Sequence, residues 1–311
     1  MIDGIVQAID REGVRVLHVD PGEAANRTVV TFAGSQEAVE AAAFAGIAAA
    51  SETIDMRSQS GTHPRIGATD VVPFVSIGDT LMETCIGLSE RVAARVGQEL
   101  GIPVYLYAES ARADERLSLP AIRRGEYEAL EEKLARAEFA PDYGPATFNA
   151  KSGATVIGAR RFLIAWNVNL NTKDVSVARE IARRLRTTGR RSPDGRMIPG
   201  RFRGLQGDGW FIDEYDRAQI TFNILDFEST PIARVYEACR EQAETLGVQV
   251  TGSELVGLIP GDALLEAGRF YANLRGKDTD DPISVAVQEL GLDELEAFVP
   301  EQRVIELMID D

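Results

Sequence analysis

The 311-residue sequence has few cysteines and histidines and no excess of basic residues. Two cysteines, Cys85 and Cys239, are too few for a disulfide framework, which fits a reducing, cytoplasmic setting. Two histidines, His18 and His63, exclude a histidine-rich metal site, and we expect no metal. The net charge of −16 argues against nucleic acid or an anionic membrane surface as a partner. No apolar run approaches the ~20 residues of a membrane span, and no secretory signal opens the chain.

What is present indicates a globular α/β (α+β) protein. Strand-like and helix-like runs alternate along the chain, and the hydrophobic share of 44% is enough for a core. The segment Leu100–Val104 of the first half is echoed by Leu246–Val250 in the second, within a similar order of elements. We therefore predict two related α/β subdomains, residues 1–160 and 161–311.

Local signals predict several element boundaries. Asp20, Pro21 and Gly22 form a turn signal after the strand-like run Val14–Val19. Asp79 is the expected N-cap of a helix whose apolar stripe includes Cys85, and both cysteines are expected to be buried packing residues. Thr230 and Pro231 have the pattern of a cap and first helical position.

His63 is the strongest candidate for chemistry. It lies in a glycine-flanked loop, and Pro64 disfavours the helical region for it. An imidazole titrates near neutral pH and can act as both acid and base. The alternative is a histidine that only hydrogen-bonds its loop. His18, inside an apolar strand, is expected to be structural.

Charged residues provide the other candidates. Asp20 could orient an imidazole or pair with a substrate cation, or it could only cap its turn. Between Arg183 and Arg203 there are eight arginines and one aspartate. This run is either a solvated surface or a positive patch suited to a polyanionic substrate tail.

Segments along most of the chain together resemble one family. The most specific is Gly61–Asp70, which reads GTHPRIGATD. The others are Asp20–Gly22, Asn26–Val29, Pro103–Tyr107, Pro120–Glu128, Pro141–Pro145, Gly153–Thr155, Gly158–Ala165, Gln206–Gly207, Leu225–Glu228 and Gly252–Pro260. On these motifs the sequence resembles the glutamate formimidoyltransferase family.

The resemblance implies a fold, a reaction and a set of site residues. The fold would be two ferredoxin-like subdomains, with mixed sheets, helices on the outer faces and the folate site between them. The reaction would move a formimino group from N-formimino-L-glutamate to N5 of tetrahydrofolate, a co-substrate, in histidine degradation. His63 would be the catalytic acid/base, assisted by Asp20. The folate loop would comprise Gly144, Pro145, Ala146, Thr147, Phe148, Asn149, Ala150, Lys151, Ser152 and Gly153.

Arginines near these positions suit glutamate carboxylates, because a guanidinium can bind a carboxylate with two hydrogen bonds. We expect Arg27 and Arg65 to flank the centre, with Arg65 acting in catalysis and Asn26 and Arg27 contacting substrate. We also expect a homodimer.

Two departures from the family leave alternatives open. The usual opening strand and loop has no counterpart before Met1, which favours either an incompletely assigned start or a weakened enzyme. No cyclodeaminase segment follows Asp311, so a separate protein would release ammonia from the product. The alternatives to formimino transfer are an enzyme acting on 5-formyltetrahydrofolate at the same site and a non-catalytic folate-binding remnant.

Overall fold

The computed structural model describes residues 1–22, 26–61 and 63–309, so Thr62 of the GTHPRIGATD segment lies outside it. The chain divides into two units, Met1–Arg161 and Phe162–Asp311. In the described ranges, no helix has both the length and the apolar character needed to cross a membrane. The α/β class predicted from the sequence is confirmed.

The first unit contains a β-ribbon and a parallel sheet. Strands β1 and β2 pair antiparallel, and the separate sheet has the order β3-β5-β4 with all strands parallel. The elements are α1 (Ile2–Asp10), β1 (Arg15–Gly22), β2 (Arg27–Ala33), α2 (Gln36–Thr53), β3 (Val71–Phe74), α3 (Met82–Arg95), β4 (Val104–Ala108), α4 (Leu119–Arg123), α5 (Leu130–Leu134) and β5 (Thr155–Ala159). Short 3-10 turns cover Met56–Ser58, Asp114–Arg116, Tyr127–Ala129 and Ala137–Phe139, and a π turn covers Val96–Leu100.

Burial explains the parallel sheet. The central strand β5 is buried along its whole length, as expected for a strand with neighbours on both sides and helices on its faces. Helix α3 packs against this sheet through Cys85, Leu88 and Val92, which lie on one face at three- and four-residue steps. The predicted apolar stripe, Leu81, Cys85, Leu88, Val92 and Val96, is therefore confirmed except at Leu81, which precedes the helix and is 67% exposed.

The second unit has the ferredoxin-like order of elements. Its main chain runs β6-α6-β9-β10-α7-β11, and the sheet has the antiparallel order β11-β6-β10-β9. The bounds are β6 (Ile164–Leu170), α6 (Val175–Leu185), β7 (Arg190–Arg191), β8 (Met197–Ile198), β9 (Leu205–Ile212), β10 (Arg217–Ile224), α7 (Ile232–Thr245), β11 (Val250–Val256), α8 (Gly261–Leu274), α9 (Pro282–Leu290), α10 (Pro300–Arg303) and α11 (Ile305–Ile309). Each of these sheets is therefore either parallel throughout or antiparallel throughout, and none of them is mixed.

Three local predictions were wrong: the helix caps at Asp79 and Thr230, and the turn over Asp20–Gly22. Helix α3 begins at Met82 rather than after Asp79, because Gly78, at φ +56°, and Thr80 form a turn closed on Ile77. Thr230 does not cap α7. Its hydroxyl donates to the carbonyl of Arg203 at 2.6 Å, and the helix begins at Ile232.

The turn predicted over Asp20, Pro21 and Gly22 is instead the end of strand β1. The antiparallel pairing continues to the last pair of the ribbon, where Gly22 lies opposite Arg27. Asp20 therefore lies within a paired strand, opposite Val29. A turn-capping role for Asp20 is not supported by this geometry.

Candidate active site

The His63 loop is attached to the β-ribbon by Asn26. The Asn26 side-chain amide donates to the Gln59 side-chain oxygen at 3.1 Å and to the Ser60 carbonyl at 2.7 Å. Asn26 has a φ of +48°, in the left-handed region that asparagine tolerates better than most residues. The connection fixes the start of the loop three residues before His63.

Asp70 organises the charged groups around this loop. Its Oδ2 accepts from Arg27 at 2.8 Å and also from Arg123. Its Oδ1 accepts from the backbone N–H of Ile66 at 3.0 Å and from Arg123 Nε at 3.3 Å. The side chains of Asp70 and Arg123 are only 11% and 10% exposed. One carboxylate therefore joins strand β2, helix α4 and the His63 loop.

The contacts of His63 indicate which ring nitrogen carries the lone pair. Nδ1 lies 2.8 Å from the Pro64 carbonyl and 3.3 Å from an Arg27 guanidinium nitrogen. A carbonyl only accepts and a guanidinium only donates, so Nδ1 cannot hydrogen-bond both in one tautomer. The shorter contact is satisfied when Nδ1 carries the hydrogen and donates to Pro64. Neutral His63 then has its lone pair on Nε2, where it can act as a base.

The surroundings of His63 favour its neutral form. Partial burial is the largest influence and lowers the pKa of the imidazole, because an imidazolium loses solvation there. The positive charge of Arg27 lowers the pKa further, while the Pro64 carbonyl raises it. A base with a lowered pKa is unprotonated at neutral pH and so is ready to accept a proton.

Replacing Arg27 with glutamine should move the pH dependence of the reaction. Removal of the positive charge beside Nδ1 raises the pKa of His63, so the acidic limb of the pH–rate profile should shift to higher pH. The profile of kcat/KM, which reports groups of the free enzyme, is the measurement. Arg57→Gln is the matched control, because Arg57 pairs with Asp55 at the surface. An unshifted acidic limb in Arg27→Gln would show that Arg27 does not set the pKa of His63.

Asp20 shares a ribbon face with Arg27. In an antiparallel pair, residues two apart face the same way, and Arg27 lies opposite Gly22, two residues after Asp20. The structure thus places Asp20 and Arg27 as diagonal neighbours. The described residues contain no hydrogen bond between Asp20 and His63.

The guanidinium of Arg65 forms ion pairs with two glutamates. Its guanidinium forms a two-point pair with Glu128, at 2.6 and 2.8 Å, and contacts Glu126 at 3.0 Å. These partners raise the pKa of Arg65, with the Glu128 hydrogen bond as the main cause. Among the described residues, no hydrogen bond joins the side chains of Arg65 and His63, and a role for Arg65 in catalysis stays a prediction. Its contacts instead fix the far side of the loop to the 126–128 segment.

The segment 144–153 meets the His63 loop through its backbone. The carbonyl of Ser152 accepts from the N–H of Ala68 at 2.9 Å, and Gly153 forms a bridge with Gly67. Gly153 has a φ of +68°, and a Cβ there would collide with the Ile66 carbonyl. Only glycine therefore allows this approach of the two loops.

Other side chains of this segment have defined partners. The ring of Phe148 lies 5.4 Å from that of Tyr127, whose hydroxyl donates to the Ala150 carbonyl at 2.6 Å. Asn149 accepts from the N–H of Ser152 at 3.0 Å. Lys151 donates to the Glu52 carbonyl at 2.8 Å. The stretch Gly144–Thr147 is exposed, so this part of the segment is accessible to a ligand.

The sequence alone assigned no role to Asp70, the last residue of the GTHPRIGATD segment, or to Arg123. Arg123 lies in the Pro120–Glu128 motif, but its contact with Asp70 spans 53 positions. The sequence did contain one signal for Arg123, a charged residue at the end of an otherwise apolar helical turn. A buried arginine needs a partner of opposite charge, so this position indicated an ion pair.

The cysteines have no reactive surroundings. Cys85 and Cys239 are buried, as predicted, and burial raises the pKa of both thiols. Across residues 1–22, 26–61 and 63–309, no group of three or more His, Cys, Asp or Glu side chains is placed to hold a metal ion.

Comparisons with known proteins agree with this architecture. Residues 1–160 match the model of the "Formiminotransferase domain, N-terminal subdomain", and residues 165–310 match that of the "Formiminotransferase domain". The chain belongs to the formiminotransferase domain family.

Individual relatives extend the comparison. The chain is 46% identical to the formimidoyltransferase-cyclodeaminase of Rattus norvegicus, over 100% of this chain and 57% of the relative. It is 43% identical to the glutamate formimidoyltransferase of Thermoplasma acidophilum, over 85% of this chain and 84% of the relative. The corresponding protein of Streptococcus pyogenes is 37% identical, over 89% and 90%. The chain spans a little over half the length of the animal relatives it matches.

Proposed function

We propose that the chain transfers the formimino group from N-formimino-L-glutamate to N5 of tetrahydrofolate, giving 5-formiminotetrahydrofolate and L-glutamate. The observation that carries the proposal is His63, whose Nδ1 lies 2.8 Å from the Pro64 carbonyl, so that the lone pair of the neutral ring is on Nε2. The relatives named glutamate formimidoyltransferase support the assignment of this chemistry.

The proposed reaction uses His63 twice. As N5 of tetrahydrofolate attacks the formimino carbon, N5 loses its proton to Nε2. A tetrahedral carbon forms, which bears three nitrogens: N5, the glutamate nitrogen and the formimino nitrogen, which takes the electron pair of the former C=N bond and later returns it. The imidazolium then gives the proton to the glutamate nitrogen, the bond from this nitrogen to carbon breaks, and L-glutamate leaves. One imidazole used in this way contributes typically ~10²–10⁴-fold.

The charged side chains near His63 are suited to bind N-formimino-L-glutamate, the donor of the formimino group. Arg27 and Arg123 share one carboxylate, that of Asp70, so this cluster retains one positive charge. Of the two arginines Arg27 is the more exposed, which makes it our candidate for a carboxylate of the donor. The formimino group is an amidine and carries a positive charge when protonated, and we assign Asp20 to stabilise it.

The folate site is assigned to the 144–153 segment. Phe148 and Tyr127 offer aromatic surface for the flat pterin ring, and the exposed Gly144–Thr147 stretch offers backbone groups. Because a formimino product retains its nitrogen, a separate cyclodeaminase is the proposed partner. A cytoplasmic homodimer acting in histidine degradation completes the proposal.

A two-substrate assay tests the function. Purified chain should form 5-formiminotetrahydrofolate from N-formimino-L-glutamate and tetrahydrofolate, at a rate well above that with 5-formyltetrahydrofolate as donor. The reverse order of rates would favour the 5-formyl alternative. Folate binding without turnover of either donor would favour the non-catalytic alternative.

Replacing Asp20 with asparagine should lower turnover more than it weakens folate binding. The amide retains the shape of the carboxylate but removes the charge that stabilises the amidinium. Turnover and folate affinity are measured on the same preparation, and Asp10→Asn on the exposed end of α1 is the control. Unchanged turnover with reduced thermal stability would limit Asp20 to a structural role.

A further inference from the structure

A second concave feature lies in the C-terminal unit, separate from the His63 loop. It is a cavity of about 260 Å³ between the end of α6, the β7–β8 hairpin and α7. Its polar lining is almost entirely cationic, and includes Arg183, Arg184, Arg190, Arg201 and Gln242.

Only part of this positive charge is neutralised. One carboxylate, that of Glu180, accepts from Arg184 at 2.9 Å and from Arg190 at 3.2 Å. Arg201 pairs with Glu241 at 2.6 Å. Four guanidiniums thus share two carboxylates. Within the described part of the chain, the guanidinium of Arg183 has neither an ion pair nor a hydrogen bond.

The last backbone carbonyls of helix α6 accept hydrogen bonds from backbone N–H groups rather than from these guanidiniums. The carbonyls of Arg184 and Leu185 accept from the N–H groups of Arg201 and Phe202, at 3.1 and 3.0 Å. The C-terminal end of α6 is therefore capped by the chain that follows the hairpin. Arg184 also donates to the Gln242 side-chain oxygen at 3.0 Å. Among the described residues, the guanidinium of Arg183 has no such acceptor, and an anion is the ligand that it fits.

The hairpin wall is fixed in place. Gly189 has a φ of +63°, and a Cβ there would collide with the Ile198 carbonyl. Glycine therefore lets the two arms of the hairpin approach, which positions Arg190 and Ile198 in the wall. A wall set by backbone packing reduces the ordering cost of binding.

We propose that this pocket binds a multiply charged oxyanion, as a phosphate chain or a chain of carboxylates. Guanidiniums bind both groups with paired N–H donors. Two unneutralised positive charges select a ligand with at least two negative charges. The apolar surface of Leu185, Ile198 and Pro199 can contact a carbon chain that links the anionic groups of the ligand.

Binding to the full chain tests the proposal, with inorganic pyrophosphate and tri-L-glutamate as probes, in calorimetry at low ionic strength. We expect at least one probe to bind at one site per chain and to weaken as salt is added. The tighter probe identifies the phosphate or carboxylate source. Arg183→Gln should weaken this binding about tenfold, as expected for loss of one charged hydrogen bond.

Arg196→Gln is the matched control, because it removes the same charge at the nearby β7–β8 hairpin, from a side chain that is 86% exposed and outside the cavity lining. It should change the affinity less than twofold, roughly. Failure of both probes to bind would overturn the proposal. Equal losses in the two variants would also overturn it, since they would indicate a general effect of charge. The readout is binding alone, so it is independent of formimino transfer.

Discussion

Turnover of formimino transfer should fall about 10²–10⁴-fold when His63 is replaced by alanine, with the fold unchanged. His63 is the group that takes the proton from N5 and returns it to the leaving nitrogen in the proposed reaction. Its loop is attached to the protein by Asn26, Asp70 and Arg65 rather than by the imidazole. Loss of the ring therefore removes the acid/base while its supports remain.

Steady-state kinetics and thermal unfolding of the same variant check this result. The matched control is His18→Ala, at a partly buried position inside strand β1, opposite Thr31. It should lower stability more than turnover. Near wild-type turnover in His63→Ala would refute the acid/base role, and a failure to fold would show that the imidazole is a structural part of the loop.

The largest loss of stability is expected from Asp70→Asn. The substitution leaves the buried guanidinium of Arg123 without a countercharge and weakens the attachment of Arg27. Removal of one partner from a buried ion pair costs about 3–5 kcal/mol. The measurement is the free energy of unfolding from denaturant titration. Turnover should fall as well, because Asp70 also positions Arg27 and the His63 loop.

Asp55→Asn is the control for Asp70→Asn. Asp55 pairs with Arg57 at the surface, and solvent screens that pair, so we expect little change in unfolding. The double variant Asp70→Asn with Arg123→Met then separates the mechanisms. If the unpaired guanidinium causes the loss, the second substitution should restore part of the stability. Equal losses in Asp70→Asn and Asp55→Asn would contradict the central place given to Asp70.

The sequence predicts elements best where one local pattern decides the structure. The apolar steps of α3 specify a helix face, and the buried face they predict is the one observed. Boundaries were missed where a neighbouring contact competes with the local signal. Thr230 has the composition of a cap, but its hydroxyl binds the carbonyl of a residue 27 positions away.

The same distinction applies to the site. His63 can be found from its loop and its chemistry, because both are local properties of the sequence. The residues that surround His63 and influence its pKa are distant in sequence. Arg27 lies 36 positions from His63, and Arg123 lies 53 positions from Asp70, its partner. The pairing of Arg65 with Glu128 spans 63 positions. Such pairings depend on how β2, α4 and the loop pack together, and periodicity gives no information on that packing.

The most direct test follows the formimino carbon itself. N-formimino-L-glutamate labelled with ¹³C at the formimino carbon is mixed with tetrahydrofolate and the purified chain, and the products are analysed by mass spectrometry. We predict that the label moves to tetrahydrofolate, with one L-glutamate released per labelled folate, and that His63→Ala suppresses the transfer under the same conditions. Label that stays on glutamate while tetrahydrofolate is bound by the chain would contradict the proposed function.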